Sequence, residues 1–454
     1  MTLIREEGRL RIHPNDLALE EFYLSLGSEH RTLLEHVAHC LACRDRIQTL
    51  IDRSQRGAWS DEEVSYEQAL DHGEQILESR RAALEKERSD APALFVELME
   101  TPPEQRILLL RNLRRFQTWG LFELLIERSL EMGVRDPTAA EELALLSLRV
   151  SDTLDYSYYG SKLIEDLRAR AWAHLANSRR IRSDLKGAEE AFEEAEVHLA
   201  KGTRDPVEKA IFLDLKASLR RGQRRFEEAL RLLRRAVTIF VQYGHHHRAG
   251  RALVNMSIVH HYRGEQKEVI PLLHRALELI NPELEPRLLL CTRHNLTFSM
   301  ADCGHFQEAW ALYFQTRPLY RDFTDAWTQN RRKWVKGKIV RGLGQAGQAE
   351  SLFLAARDGF VEEGIPYDTA LVSLELATLY AEQGRTADLK RLAEEMLPIF
   401  SSLHIHREAL AALAFLRQAA EAETASLEVV TRVASYLRRA QHDPSLRFEE
   451  VGQA

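Results

Sequence analysis

Cysteine is scarce in this chain. Four in 454 residues is too few for a disulfide framework. Glycine (22) and proline (13) are sparse, and aromatic residues make up 8%. A sandwich or barrel of many short strands and turns needs more glycine and proline. No apolar run approaches the ~20 residues of a membrane-spanning helix; Ala409–Leu416 is about as long as they get. The opening MTLIREEGRLRIHP contains no apolar h-region, so no secretory signal is expected and the cytosol is the expected compartment. A net charge of −7 gives no general case for nucleic-acid binding. What dominates instead is Ala, Leu, Glu and Arg, with 44% hydrophobic and 29% charged residues. That is a helix-forming composition with enough apolar material for a sizeable core.

One period organises most of the chain. Gly264, Gly304, Gly344 and Gly384 stand 40 residues apart. Val269, Ala309, Ala349 and Leu389 follow them at one fixed offset, and Ala276, Thr316, Ala356 and Met396 at another. Ala229 with Ala236, and Ala188 with Ala195, extend the two columns backwards. Between them lie Phe192, Leu233, Leu273, Tyr313, Phe353 and Ala393. A small residue where helices cross, a large one beside it and a glycine at the turn define a helix–turn–helix unit. Gly342-x-Gly344-x-x-Gly347 matches a dinucleotide-binding fingerprint, but Gly344 belongs to the turn column, and a preceding strand is not expected there. No Walker, H-E-x-x-H or G-x-S-x-G motif occurs, so no enzyme is expected.

These columns resemble tetratricopeptide repeats. Trp172, Leu175 and Ala176 lead into Ala188, Phe192 and Ala195 with that family's offsets, and Phe226-Glu227-Glu228-Ala229 repeats as Phe306-Gln307-Glu308-Ala309. The resemblance implies an all-α, right-handed superhelical array of helix pairs, six of them over Ser161–Ala420. The period exceeds the family's usual ~34 residues. Val269, Leu389 and Met396 depart from the small columns, which implies looser packing or a different crossing angle there. Residues 91–160 read as degenerate repeats or a cap, with Asp152–Gly160 as a loop; residues 421–454 read as a capping helix, Ser426–Ala440, and a frayed tail from His442.

The sharpest local signal is His36-Val-Ala-His39-Cys40-Leu-Ala-Cys43. If Glu29–Asp52 is a helix, His36, Cys40 and Cys43 share one face and supply three tetrahedral zinc ligands. His13 is the candidate for the fourth. A first helix over Pro14–Leu26, turning at Gly27-Ser28, returns the chain so that His13 meets Cys40 and Cys43. A hairpin this small has little core of its own, and a metal staple supplies what is missing. Two half-buried cysteines packing apolar faces, or a redox pair, are the other readings of the same residues.

The stretch from His13 to the C-x-x-C-R at Cys40–Arg44 resembles the zinc-binding anti-sigma factor domain of bacterial regulators. The resemblance covers about fifty residues and implies that His13, His36, Cys40 and Cys43 ligate one structural zinc ion. Residues 53–90 follow as an acidic helical linker, and the negative balance of the whole chain is concentrated before Asp90. In the family the helices after the zinc hairpin clasp a sigma factor. Trp59, Tyr66, Leu70 and Leu77 are the candidate anchors in that place.

The family's inward positions on the first helix of each repeat fall here on Arg170, Asn177, Arg180, Asp214, Arg221, Arg251, His261, His294, Asp302, Arg331, Lys338 and Arg341. Asn255 and Asn295 share one column, and asparagine can hold an extended peptide's backbone. Basic residues outnumber acidic ones in this set, so a protein or peptide ligand in the groove is expected. His245–His247 read as an exposed loop, and Cys291 and Cys303 as packing groups. The expectation is a non-enzymatic bacterial regulator or scaffold: a zinc module over residues 1–52 joined to a repeat array. A purely structural scaffold, with the zinc hairpin as a folding cap, is the alternative.

Overall fold

The computed structural model describes residues 2–6, 9–14, 19, 33, 36–37, 40–55, 66–133, 136–402, 407–421, 425–440 and 446–448. The chain forms two compact units, Met1–Ala82 and Ala83–Ala454.

The first unit opens on a two-stranded hairpin that the helical reading did not anticipate. β1 (Thr2–Glu6) pairs antiparallel with β2 (Arg9–His13), Thr2 opposite His13. β2, Arg-Leu-Arg-Ile-His, alternates polar and apolar residues, the strand period. The helix expected over Pro14–Leu26 lies outside the described residues, apart from Pro14 and a helical Leu19. The helix expected over Glu29–Asp52 is not continuous. His36 and Val37 are helical, Cys40 is not, and α1 runs from Leu41 to Gln55. Cys40 stands immediately before α1, and its carbonyl accepts from the Arg44 N–H at 3.1 Å. A residue in that position already takes part in the helix ladder while keeping a non-helical backbone. α2 spans Tyr66–Glu100, and the boundary between the units falls within it.

The second unit is a series of helices. α3 (Pro103–Asn112), α4 (Trp119–Met132) and α5 (Pro137–Thr153) come first. The expected loop over Asp152–Gly160 contains a single helical turn, α6 (Tyr156–Tyr159), capped by Asp155. Six helix pairs follow: α7 (Ser161–Ile181) with α8 (Leu185–Lys201), α9 (Pro206–Gly222) with α10 (Phe226–Gln242), α11 (His246–Tyr262) with α12 (Gln266–Leu279), α13 (Pro286–Asp302) with α14 (Phe306–Asp322), α15 (Ala326–Gly342) with α16 (Ala346–Glu362), and α17 (Pro366–Glu382) with α18 (Thr386–Ser402). α19 (Arg407–Glu421) and α20 (Leu427–Ala440) complete the order, with α20 packed on α17. From α9 onward the first helices start 40 residues apart, as the glycine column requires.

Local chemistry sets these boundaries. Pro206, Pro286 and Pro366 occupy first helical positions, where a missing N–H costs nothing. The Asp184, Asp205 and Asp325 side chains accept from backbone N–H groups of the first turn. Gly264, Gly304, Gly344 and Gly384 all have φ between 66° and 83°, which glycine adopts without a Cβ penalty. At Gly264 the turn closes with the Gly264 N–H on His261 O (3.0 Å) and the Glu265 N–H on His260 O (2.9 Å). The other three turns repeat this pattern. Helix α15, not a strand, precedes Gly344, so the glycine-rich fingerprint there is a repeat turn.

The small column is fully buried, at 0% exposure for Ala188, Ala229, Ala309 and Ala349. Val269, Leu389 and Met396 are buried beside them, so their extra volume is packed rather than left loose. Phe192, Phe240, Phe353 and Phe360 fill the gaps between helices, each contributing about 1.5–3 kcal/mol of apolar burial. Beyond α20 only residues 446–448 of the expected frayed tail are described. There the Tyr436 hydroxyl donates to Leu446 O at 3.0 Å.

Candidate metal centre and inner helix face

His13, His36, Cys40 and Cys43 converge at one point of the first unit. Their four ligand atoms lie within 4.8 Å of one another, and among the described residues no other His, Cys and carboxylate set does so. His13 Nδ1 is 3.3 Å from both Cys40 Sγ and Cys43 Sγ, and His36 Nε2 is 3.3 Å from Cys43 Sγ. Ligands on a tetrahedral zinc at ~2.0–2.3 Å stand roughly 3.5 Å apart, so the donor set and its spacing fit a metal ion. Each donor has its own support. The β-hairpin ends at His13 and delivers it, and α1 carries Cys43 in its first turn with Cys40 just before. Both sulfurs therefore sit at the positive end of α1, which favours negative charge. Cys43 packs fully buried with Leu19, Val37 and Ile47. Arg46 Nη1 donates to Pro14 O at 2.9 Å, tying α1 to the residue after His13. The sequence brought these four residues together; the strand that carries His13 was the missing piece.

Of the expected partner anchors, Trp59 and the Tyr66 side chain lie outside the described residues. Leu70 and Leu77 are on α2 with 43% and 45% of their surface exposed, and Ile76 beside them is similarly open.

In the second unit the first helices of successive pairs lie beside one another, α7 against α9 and α13 against α15. Most of the polar residues expected on this face pair across adjacent helices. Arg170 pairs with Glu208, Arg251 with Glu285, and Asn255 donates to Asp214 Oδ1 at 2.9 Å. Burial pushes the Asp214 carboxyl up, against the Asn255 bond and three nearby arginines. Lys338, nearly fully buried, bridges Asp302 at 2.7 Å and Glu375 at 2.5 Å. Arg341 (3.0 Å) and Arg438 of α20 (3.1 Å) also reach Glu375. Burial pushes the Glu375 carboxyl up, but Lys338, Arg438 and Arg341 outweigh it and hold it at about 2.

The remaining expected residues contact neutral groups. Arg180 donates twice to Asn177 Oδ1, at 3.1 and 2.9 Å. Arg221 lies 5.9 Å from the Tyr262 ring centroid. Arg331 donates to His294 Nε2 at 3.3 Å and stands 4.9 Å over Trp327. His261 bonds Gln266 at 2.8 Å, and burial lowers its imidazole. Asn295 is half-buried on α13. His174 is an interior group that sequence reasoning missed. It is 6% exposed, and burial, then Arg170 and Arg248, lower its imidazole to about 3. Its place one turn from Arg170 and three residues before Asn177 was the available signal.

Stacked antiparallel helix pairs with small residues at the crossings and a polar first-helix face define a helical-repeat scaffold. Within it, residues 209–321 match the family model described as tetratricopeptide repeat. No curated protein matches the chain. Among solved structures, a Rap protein complexed with Competence and Sporulation Factor is similar in fold, with a TM-score of 0.53 at 13% identity over 71% of this chain and 87% of that one. Aspartyl phosphate phosphatase F from Bacillus subtilis gives 0.44 at 12% identity over 96% and 97% of the two chains. NprR in complex with its cognate peptide NprX gives 0.40 at 17% over 65% and 83%. Among the described residues no helix is long and apolar enough to cross a membrane.

Proposed function

We propose that this protein is a non-enzymatic bacterial regulator of the cytosol whose repeat array binds a peptide or protein segment on the face formed by its first helices. The observation that carries this is the polar lining of that face. Arg170, Asn177, Arg180, Arg221, Arg251, Asn255, His261, Asn295, Arg331, Lys338 and Arg341 all stand on first helices, and asparagine and arginine can engage an extended backbone and its side chains. The Rap protein of similar fold, complexed with Competence and Sporulation Factor, supports the same reading. Affinity selection of peptides by the full chain tests it: capture is expected on the wild type, and none at all would refute it.

The first unit is proposed as a zinc-binding, anti-sigma-like module. His13, His36, Cys40 and Cys43 are a Cys2His2 donor set within 4.8 Å, and a closed set of four nitrogen and sulfur donors is the usual structural zinc site. Trp59, Tyr66, Leu70 and Leu77 would anchor a sigma factor, and the exposure of Leu70 and Leu77 supports this. The acidic linker would meet a basic surface, so binding should weaken with salt. Titration of the full chain and its W59A/L70A variant against the host's sigma factors tests the module. Binding by neither protein refutes the partner assignment and leaves the scaffold reading in its place.

A further inference from the structure

Cations on the inner face generally have a carboxylate about one repeat away, as in Arg170 with Glu208, Arg251 with Glu285 and Arg341 with Glu375. Arg180 and Arg221 form no ion pair among the described residues. Both Arg180 donors, Nε and Nη2, go to one neutral acceptor, Asn177 Oδ1. Arg221 has the Tyr262 ring beneath it. The two arginines belong to the last turns of α7 and α9. Arg180 Cγ lies 3.9 Å from where a Cβ on Gly222 would stand, so the helices approach closely there. Burial, and then Arg221, lower the Arg180 guanidinium to about 10.

Two half-buried guanidiniums that repel each other are held at a cost. The carbonyl ends of α7 and α9 offset part of it. A carboxylate would remove the rest, because the guanidinium fork matches two carboxylate oxygens. We propose that Arg180 and Arg221 form a seat for an acidic side chain of a peptide ligand, with Asn177 orienting Arg180 and Tyr262 backing Arg221. This deepens the peptide-groove reading and rests on it. An aspartate or glutamate side chain fits better than a chain end. The array continues on both sides of the seat, through α4 and α5 before it and α11 to α17 after it, so a chain crossing the first helices runs through.

The test is affinity selection from a random hexapeptide library, N-acetylated and C-amidated so that only side chains carry charge, using the full chain and sequencing the captured peptides. On the wild type, Asp or Glu should exceed Asn or Gln at one position by about tenfold, the scale of a charge-assisted contact. The R180Q/R221Q variant should lose that preference while keeping the helicity of the wild type, since repeats are stabilised by their neighbours. R221Q alone, which gives up the ring contact and one of the three arginine charges near Asp214, should reduce the preference and covers the case in which the double variant misfolds. Captured peptides without acidic preference, or with the same preference on the double variant, overturn the seat and leave the groove standing. Binding that demands a free C-terminal carboxylate in a parallel unamidated library overturns the side-chain assignment. Capture of no peptide overturns the groove reading and the seat with it.

Discussion

Lys338→Met is the most informative perturbation of the array. The ammonium of Lys338 is 5% exposed and bridges Asp302, 11% exposed, and Glu375, 3% exposed. Methionine fills the volume but leaves two carboxylates behind. Breaking a buried ion pair by removing one partner costs ~3–5 kcal/mol. The lower end applies here, because Glu375 retains Arg341 and Arg438 while Asp302 loses the only cation it pairs with among the described residues. Repeat arrays do not unfold in a single all-or-none step, so a global melting curve would dilute the effect. Native-state hydrogen exchange of α13, α15 and α17 reads it locally. A loss of about 3 kcal/mol corresponds to roughly a hundredfold drop in protection at those helices, with little change in α9 and α10. The double variant D302L/K338M should recover part of the loss, because the penalty comes from the orphaned acid rather than from the missing attraction. Protection in Lys338→Met within a few-fold of wild type, or an equal loss in single and double variants, would refute the reasoning.

His174 is neutral in the fold at about 3, below the usual 6.5, so the unfolded chain binds the extra proton first. Stability should therefore fall as pH drops from 6.5 towards 3, by about 2 kcal/mol at about pH 5, and His174→Leu should flatten that part of an acid-unfolding profile. Ala309 is fully buried at a helix crossing, and Ala309→Leu should overpack it by about 1–3 kcal/mol; unfolding of that variant at the wild-type temperature would place the repeat register elsewhere. Reduced wild-type protein should contain one zinc per chain by elemental analysis, and Cys40→Ser should remove it without changing the helicity of the array, since repeats are stabilised by their neighbours.

The repeat architecture was legible because it rests on columns of residue type. Gly304 and Gly344 announce a turn and Ala309 and Ala349 a crossing, and periodicity survives even where Val269 or Leu389 breaks the pattern. The N-terminal segment was legible only in part. His36, Cys40 and Cys43 sit within eight residues, and both a continuous helix and a helix starting after Cys40 bring them near one another. Nothing in HPNDLALEEF shows that the segment before it is a strand. The RLRIH alternation did, over five residues, but it is short beside the helical signal that surrounds it.

On the inner face the sequence showed the charges of one helix at a time. Counting side chains along single first helices yields an excess of arginine and lysine. The carboxylates that answer them lie on the neighbouring first helix or, for Glu285, just before it, 38 residues on for Arg170 with Glu208, 34 for Arg251 with Glu285 and 37 for Lys338 with Glu375. In a stacked array an offset of about one repeat does what an offset of four does on one helix: it puts two side chains side by side. Once those pairs are removed, the basic excess shrinks to a few residues, and its adjacent members are Arg180 and Arg221. Glu375 needs one partner more than this rule supplies, Arg438. That residue belongs to α20, outside the 40-residue register, and no periodicity could have pointed to it. The same offset rule therefore shows which charges of the face are answered by the neighbouring repeat and which are not.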